Sequence, residues 1–391
     1  MAGALLVVLW ATFAFIDLEV ALDLGPWHAN APVADLVALA LLLLALPDPA
    51  LRRLPLPGPR AWVAFVGLGL ASAVLSPFTP DALHVLVRKP VFMYLAYAVG
   101  VAAWARRAAL QPALLGGVLL GLGGTAALSL ATSGLRVAAG DALWFSRLDG
   151  LTPNHKTLAV ALAGALPLAL AISRQARWRR PARAAALVAT VAIALSLSKT
   201  AWITAALAYG LFWPRGRPIA ARWQRTAPAL VLGAALAVYA PVLVGSKAML
   251  DAARSRHSLN VRAWEMARAR PVLGMGPGSS TRVEQVTFPH YRVNGVDAHG
   301  VVQKVGSEVG LLGLLAYGLF VAGAGRRLVG RWRDAGGGHD SLAWGAVATW
   351  ATLHTNLLLS TEAFSPTHWT PLAVAWGLAH ATPASDPQEP A

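Results

Sequence analysis

The sequence contains no cysteine, and charged residues make up only 13% of its 391 positions. Without cysteine, neither a disulfide framework nor a catalytic thiolate is possible. The scarcity of charge, together with a hydrophobic content of 56%, excludes an ordinary soluble protein. Runs rich in Leu, Ala and Val recur at a length that crosses a bilayer. These features predict an all-α fold, a polytopic transmembrane helical bundle.

Acidic residues are also scarce, since 18 Asp and Glu oppose 33 Lys and Arg, which gives a formal net charge of +15. In a soluble chain this excess would suggest nucleic acid as a partner. Here most basic residues lie in short segments between apolar runs, where they set the orientation of a membrane protein. We therefore expect membrane lipids as partners and no nucleic acid.

The apolar runs predict about 12 spans in a single transmembrane domain, 1–382, followed by a polar, Pro-rich tail, 383–391, that we expect to be disordered. The first run lacks a basic segment before it, which favours a span over a cleaved signal peptide. Several runs are shorter than the roughly 20 residues that a perpendicular helix needs, so flanking residues must extend them. The predicted spans are 1–19, 32–47, 60–76, 83–105, 112–131, 155–173, 184–198, 200–213, 226–245, 301–325, 341–357 and 369–382.

With a cytoplasmic N-terminus, every inside loop is basic, as the positive-inside rule requires. The arginines of these loops are Arg52, Arg53, Arg60, Arg106, Arg107, Arg174, Arg177, Arg179, Arg180, Arg183, Arg215, Arg217, Arg222, Arg225, Arg326, Arg327, Arg331 and Arg333. The longest polar segment, 246–300, then lies on the extracytoplasmic side and carries many arginines against the rule. We expect these arginines to be retained for a functional reason.

Within the loop 246–300, the stretch Asn260–Arg270 is free of Gly and Pro and predicts a short helix that ends before Pro271. Its residue pattern allows an amphipathic helix that lies on the bilayer surface. The run Gly274–Gly278 predicts a tight turn, because no strand precedes it as a dinucleotide fingerprint would require.

Extracytoplasmic cations close to an apolar surface suit a diphosphate joined to a lipid, because guanidinium groups bind phosphate bidentately and stay protonated. Arg262, near the start of the predicted loop helix, is the strongest candidate. Lys199, between two apolar runs, offers a second cation with Ser198 and Thr200 beside it. The alternative for each is contact with lipid headgroups at the interface. Further candidate ligands in the loop are Arg254, Arg256 and Arg292.

Four other polar residues lie at predicted span ends. The imidazole of His299 is placed to take a proton from an attacking hydroxyl, although a histidine there can also be merely interfacial. Glu308 is an ionisable group inside a span, which indicates either function or a structural partner. His155 and Lys156 open another span and either face the same cavity or cap their helix, and Asn154 precedes them as a further candidate ligand. No metal or cofactor is predicted, because the histidines show no i, i+4 pair and the acidic residues form no ligand cluster.

Four parts of the sequence, in order, resemble the O-antigen ligase and polymerase family of polytopic glycosyltransferases. They are Thr152–His155, Leu197–Trp202, Arg262–Trp264 with Pro271–Gly276, and Ala298–Gly300 with Glu308–Gly313. The first resembles the Asn-containing opening of a central span in that family, and the second resembles its Ser-Arg-Gly-Ala turn. The third resembles its Arg-x-Trp and Pro-x-x-Gly-x-Gly elements, and the fourth resembles its His-Asn and Glu-x-Gly-Leu-Leu-Gly elements. Two positions depart from the pattern: Lys199 stands for arginine and Gly300 for asparagine.

The resemblance implies that Lys199 and Arg262 hold the diphosphate of an undecaprenyl-diphosphate-linked glycan and that His299 activates the acceptor hydroxyl. It also implies metal-independent transfer to a lipid A-core sugar, in lipopolysaccharide assembly, with the active site on the periplasmic side of the bacterial inner membrane. An O-antigen polymerase or a protein O-oligosaccharyltransferase would use the same donor. A transporter of lipids or anionic solutes is a further alternative, although the chain shows no pair of repeated halves.

Overall fold

The computed structural model describes residues 1–12, 19–23, 28–49, 55–140, 155–196, 198–212, 233, 247–281, 300–338, 342–360 and 364–381. These residues are mainly helical, so the predicted fold class is confirmed at that level. One hairpin is an exception, in which β1 (Glu19–Asp23) pairs antiparallel with β2 (His28–Pro32).

The helices, in chain order, are α1 (Ala2–Thr12), α2 (Val33–Ala45), α3 (Pro59–Val74), α4 (Thr79–Ala105), α5 (Gln111–Ala138), α6 (His155–Ile172), α7 (Arg179–Leu195), α8 (Lys199–Leu211), α9 (Lys247–Ala269), α10 (Val301–Glu308), α11 (Gly310–Asp334), α12 (Leu342–Leu359) and α13 (Pro366–Ala379). Two stretches of α4, Val87–Val91 and Tyr94–Val101, are π-helical. The first contains Pro90, which removes a donor from the helical ladder.

Apart from α9, which lies in the polar loop 246–300, the described helices lie where apolar runs predict spans, with two differences. The predicted span 1–19 extends too far, because Glu19 begins β1. A carboxylate at that position is costly in a span. The predicted span 301–325 is divided at Val309 into α10 and α11. The predicted span 226–245 lies outside the described residues, apart from position 233.

Three helical segments are long and apolar enough to cross a membrane: Thr79–Ala105, Ala108–Ala138 and Gly310–Asp334. Several other helices are apolar but shorter, so they would need flanking residues to span. The count of 12 spans therefore stays a prediction. On α11, the side chains of Leu311, Leu315 and Leu319 recur at i, i+4 and i+8 and are all more than half exposed, as expected for a face in contact with lipid.

Two helices form the centre of the bundle. From Thr157 to Ala169, α6 is buried on every side, and α13 is buried along its whole length, which is typical of helices that are apolar all round. Both pack against α12. Glycines permit this close approach: a Cβ at Gly345 of α12 would lie 2.5 Å from the Cβ of Ala171. Small residues serve this purpose between membrane helices.

An aromatic cluster joins α3 to its neighbours. The Trp62 ring stacks on Tyr94 of α4, with centroids 5.1 Å apart, and packs against Phe320 of α11 at 4.7 Å. These contacts hold α3 beside α11. They therefore fix the position of the opposite end of α3, where two serines reach the candidate site.

Candidate functional site

The loop helix α9 is longer than predicted and buries an arginine. It begins at Lys247 because the residues before Asn260 also lack Gly and Pro, and it ends before Pro271 as predicted. Leu259, Arg262 and Met266 share one buried stripe, and Arg262 is only 1% exposed. The expectation that Arg262 belongs to a surface-lying polar face is therefore wrong. A guanidinium in this position is costly unless it is paired or hydrogen-bonded.

The opposite face of α9 is exposed. The side chain of Trp264 is 60% exposed, and the Arg268 guanidinium lies 5.1 Å from its ring centroid. This arrangement is a cation–π contact on an exposed face, which contributes about 0.5–1 kcal/mol. Arg262 and Arg268 therefore lie in different environments, although they are less than two helical turns apart.

Among the side chains whose burial the structure describes, the only buried charged ones are those of Arg262, Lys304 and Glu308. They lie on α9 and α10, which pack against each other. Lys304 Nζ lies 3.2 Å from Glu308 Oε1, and Ser280 Oγ donates to the same carboxylate oxygen at 2.6 Å. The structural partner of Glu308 is thus Lys304, a residue that the sequence analysis did not single out. Their i, i+4 spacing is the sequence pattern that could have indicated this ion pair.

The residues after α9, 271–278, form what we call the docked turn, which lies against the break between α10 and α11. Met275 N–H donates to the Ser307 carbonyl at 3.0 Å, and Gly276 N–H donates to the Glu308 carbonyl at 2.9 Å. In return, Leu311 N–H donates to the Pro271 carbonyl at 2.8 Å. These bonds satisfy backbone groups that the helix break would leave without intrahelical partners.

Glycines make this docking possible, and the predicted turn at Gly274–Gly278 is confirmed. Gly274 has a φ of 70° and Gly310 a φ of 77°, values that other L-residues rarely adopt. A Cβ at Gly274 would lie 2.5 Å from the Glu308 carbonyl carbon, and one at Gly310 would overlap the Val272 carbonyl. The Pro-x-x-Gly-x-Gly and Glu-x-Gly stretches of the sequence therefore lock together through their backbones.

Helix α3 holds the docked turn and α10 from the other side. Ser72 Oγ donates to the Glu308 carbonyl at 2.8 Å, and Ser76 Oγ donates to the Met275 carbonyl at 2.7 Å. Arg270 Nη1 donates to the Leu75 carbonyl at 2.6 Å. Because these partners are about 200 residues apart in the chain, no local pattern could indicate them.

An apolar groove of about 550 Å³ runs between α9 and the start of α11. Its lining is formed by Asn260, Ala263, Trp264, Ala267, Arg268, Pro271, Val302, Gln303, Gly306, Ser307, Leu311 and Leu314. Arg268 is the charged residue of this lining, and Arg262 lies on the opposite, buried face of α9. Such a site combines an apolar channel with cations beside it.

The other predicted site residues fall in different places. Lys199 is exposed and begins α8, and Ser198 is the N-cap, whose Oγ accepts from Ala201 N–H at 3.5 Å. His155 begins α6, and Arg254 and Arg256 lie in α9 before Arg262. Among the described residues, the groove lining includes neither Lys199 nor Glu308. Asn154, Arg292 and His299 lie outside the described residues, so their relation to Arg262 stays a prediction.

The structure explains why position 300 is a glycine, where the resemblance would place an asparagine. Gly300 is the N-cap of α10 with a φ of 100°. A Cβ there would overlap Gln303 Oε1 and lie 2.8 Å from the Leu358 carbonyl oxygen. An asparagine at this position would therefore be strained here.

No protein-family model and no curated protein matches this chain. Function therefore has to be inferred from the site. Within the residues that the structure describes, no three His, Asp or Glu side chains are grouped to hold a metal ion.

Proposed function

We propose that the chain is a metal-independent glycosyltransferase of the O-antigen ligase type. It transfers a glycan from undecaprenyl diphosphate to a sugar hydroxyl of lipid A-core, on the periplasmic side of the bacterial inner membrane. The observation that carries the proposal is the burial of Arg262 on α9, a helix whose opposite face lines an apolar groove. A lipid diphosphate has the matching form, an apolar chain that ends in an anion.

The groove suits the chain of such a donor. Trp264, Val302 and Leu314 supply apolar surface, and burying this surface against an isoprenoid contributes roughly 25 cal/mol per Å². Leu311 belongs both to the groove lining and to the exposed apolar stripe of α11. The groove therefore adjoins the face that we expect to contact lipid, and a lipid chain can reach it without crossing water.

The cations suit the head of the donor. A guanidinium carries five N–H donors, so Arg262 can contact protein groups and a phosphate at the same time. Its burial removes competing water and holds the charge in place before the reaction, which strengthens its effect on charge that develops in the transition state. Arg268 lies at the groove itself, and Lys199 is the second cation of the proposed diphosphate site.

The proposed reaction is a single displacement. The acceptor hydroxyl oxygen forms a bond to the anomeric carbon, and the bond from that carbon to the diphosphate oxygen breaks. The electron pair of the broken bond leaves with the lipid diphosphate, where Arg262 and Lys199 stabilise it. His299 accepts the hydroxyl proton. Such a displacement inverts the configuration at the anomeric carbon.

The test is transfer by the purified protein, with undecaprenyl-diphosphate glycan as donor, with lipid A-core present or absent, and with EDTA. We expect glycan on lipid A-core. Arg262→Met keeps the length of the side chain but removes its charge, so transfer should fall about 10²–10³-fold. Arg262→Lys keeps the charge but lacks the bidentate fork, so its transfer should fall less. Arg326→Gln, an exposed arginine at the far end of α11, is the control and should leave transfer unchanged.

Other results decide against the ligase. Longer lipid-linked glycans formed without lipid A-core would indicate a polymerase. Absence of transfer to either acceptor, from protein that elutes as a folded monodisperse species, would contradict the proposal and favour a protein acceptor or a transporter. Equal activity of Arg262→Met and the parent would remove Arg262 from the site.

The groove has its own test. A Cβ at Gly306 of α10 meets nothing within 4 Å, and Gly306 lines the groove. Gly306→Leu should therefore fill the groove without overlap and raise the KM for the lipid donor about tenfold, the loss of roughly two buried methylenes. Gly318→Leu is the matched control, because Gly318 is helical, exposed and equally open but lies outside the groove lining. Equal KM values for both variants would show that the donor chain binds elsewhere.

A further inference from the structure

A second cavity lies at the other end of α11. It has a volume of about 420 Å³ and is lined by Pro55, Arg106, Arg327, Gly330, Arg331, Asp334 and His380. Since α11 has 25 residues, this end is about 37 Å from the end that carries the groove. The two sites are therefore independent, and this one belongs to the side where the sequence predicts basic cytoplasmic loops.

The cavity lining contains more positive than negative side chains, so its positive charge is not neutralised. Three guanidiniums face one carboxylate, that of Asp334. Among the described residues, no carboxylate oxygen lies within 4.0 Å of the nitrogens of Arg106, Arg327 or Arg331. The His380 ring is close enough that all three charges act on it. Like charges so close together repel each other, and an anion in the cavity would relieve that repulsion.

A neighbouring arginine shows a different arrangement. Arg107, next to Arg106 in the chain, forms an ion pair with Asp48, and its guanidinium lies 4.1 Å from the Trp104 ring centroid. Arg107 thus has protein partners that account for its charge. Arg106 lines the cavity instead, which sets the two adjacent residues apart.

Backbone groups hold the cavity walls in place. Arg327 Nη1 donates to the Leu56 carbonyl at 2.6 Å, and Arg331 Nε donates to the Ala379 carbonyl at 3.3 Å. His380 Nδ1 lies 2.9 Å from the Trp376 carbonyl oxygen. The bonds of Arg327 and Arg331 each use one of the five N–H donors of the guanidinium. The arginines are therefore positioned while most of their donors remain for a ligand.

We propose that this cavity binds an anionic phosphate group, carried either by a phospholipid headgroup or by a small soluble phosphate ester. Arginine is the side chain best suited to planar, bidentate recognition of phosphate. Basic pockets between transmembrane helices on the cytoplasmic side are suited to anionic headgroups for the same reason. This binding does not depend on the transfer reaction proposed for the other side.

The test measures binding to the full chain in detergent by native mass spectrometry, together with the change in Tm. The probes are dioleoyl phosphatidylglycerol, dioleoyl phosphatidylcholine and inorganic phosphate. The test variant combines Arg106→Gln with Arg331→Gln. The matched control combines Arg326→Gln with Arg333→Gln, which removes the same charge from two exposed arginines that do not line the cavity.

We expect phosphatidylglycerol to bind the parent at least about tenfold more tightly than phosphatidylcholine does. The test variant should bind phosphatidylglycerol at least about tenfold less tightly than the parent, because a hydrogen bond to a charged group contributes about that factor. The control should change by less than about twofold. Stabilisation of the parent by inorganic phosphate, lost in the test variant, would support a soluble ester as the source. Equal losses in both variants, or no preference for either anion, would overturn the proposal. A Tm of each variant without ligand separates lost binding from lost folding.

Discussion

Two regions of this molecule bury polar side chains, but only one of them buries charge. In the centre, where α6, α12 and α13 pack, the buried polar groups are neutral: Asn356 Nδ2 donates to Thr204 Oγ1 at 3.1 Å, and Asn356 Oδ1 lies 3.4 Å from His368 Nε2. In the region of α9, the docked turn and α10, the buried groups include Arg262, Lys304 and Glu308. Neutral hydrogen bonds are sufficient to join helices, so the buried charges need a different explanation.

The backbones of the two regions also differ, because one region is regular and the other is irregular. The centre consists of regular helices that approach through small side chains, as Gly345 approaches Ala171. The region around α10 contains a broken helix whose free backbone groups are bonded by the docked turn. Non-helical backbone at membrane depth is tolerated only where protein or a cavity surrounds it. The irregular region is thus the one that contains the candidate site.

The largest expected effect is a loss of stability, and it is tested by replacing one glycine in each region. Gly310→Ala should destabilise the protein by about 3–5 kcal/mol, because a φ of 77° costs about 1–2 kcal/mol for alanine and its Cβ would overlap the Val272 carbonyl. Gly345→Ala keeps a helical backbone and meets only the Ala171 methyl, so it should cost about 1–3 kcal/mol. Thermal unfolding in detergent measures both. A smaller loss for Gly310→Ala than for Gly345→Ala would refute the docking geometry.

The second effect concerns the buried ion pair. Glu308→Leu leaves Lys304 buried without its carboxylate, and removal of one partner of a buried pair typically costs about 3–5 kcal/mol. Lys304→Met combined with Glu308→Leu removes both charges and should recover most of that loss. The Tm of the parent, the single variant and the double variant shows this. If the double variant transfers glycan normally, the pair is structural only; if it is folded but inactive, the charge serves the site.

The sequence predicts the helix positions well because apolar runs are local signals. It also predicts the turn at Gly274–Gly278, because glycine runs have a local conformational meaning. It misses the division of the span at Val309, since α10 and α11 separate only because a turn from a distant part of the chain bonds to the break. It misses the hairpin of β1 and β2, because the hairpin lies almost entirely in the short segment between the predicted spans 1–19 and 32–47, which reads as a loop.

The candidate site is predicted in part. Arg262 was singled out for its residue type and its place in a polar loop, and the structure shows it buried. The burial itself could not be predicted, because the helix was expected to lie on a surface and its packing against α10 is a tertiary contact. Lys304 was overlooked because a lone lysine near the start of a span usually reaches the interface. The anchors Ser72 and Ser76 have no local signal at all.

The smallest effect tests the neutral region. Asn356→Leu removes the hydrogen bond to Thr204 and the contact with His368, but Thr204 Oγ1 keeps its bond to the Thr200 carbonyl at 2.8 Å. Polar contacts between membrane helices contribute about 0.6 kcal/mol on average and at most about 1.7, so the loss should be near 1 kcal/mol. Thermal unfolding of Asn356→Leu beside Glu308→Leu measures the difference. If Asn356→Leu costs as much as Glu308→Leu, then buried charge is no more demanding than a buried amide here, and the contrast between the two regions no longer points to the α9–α10 region as the site.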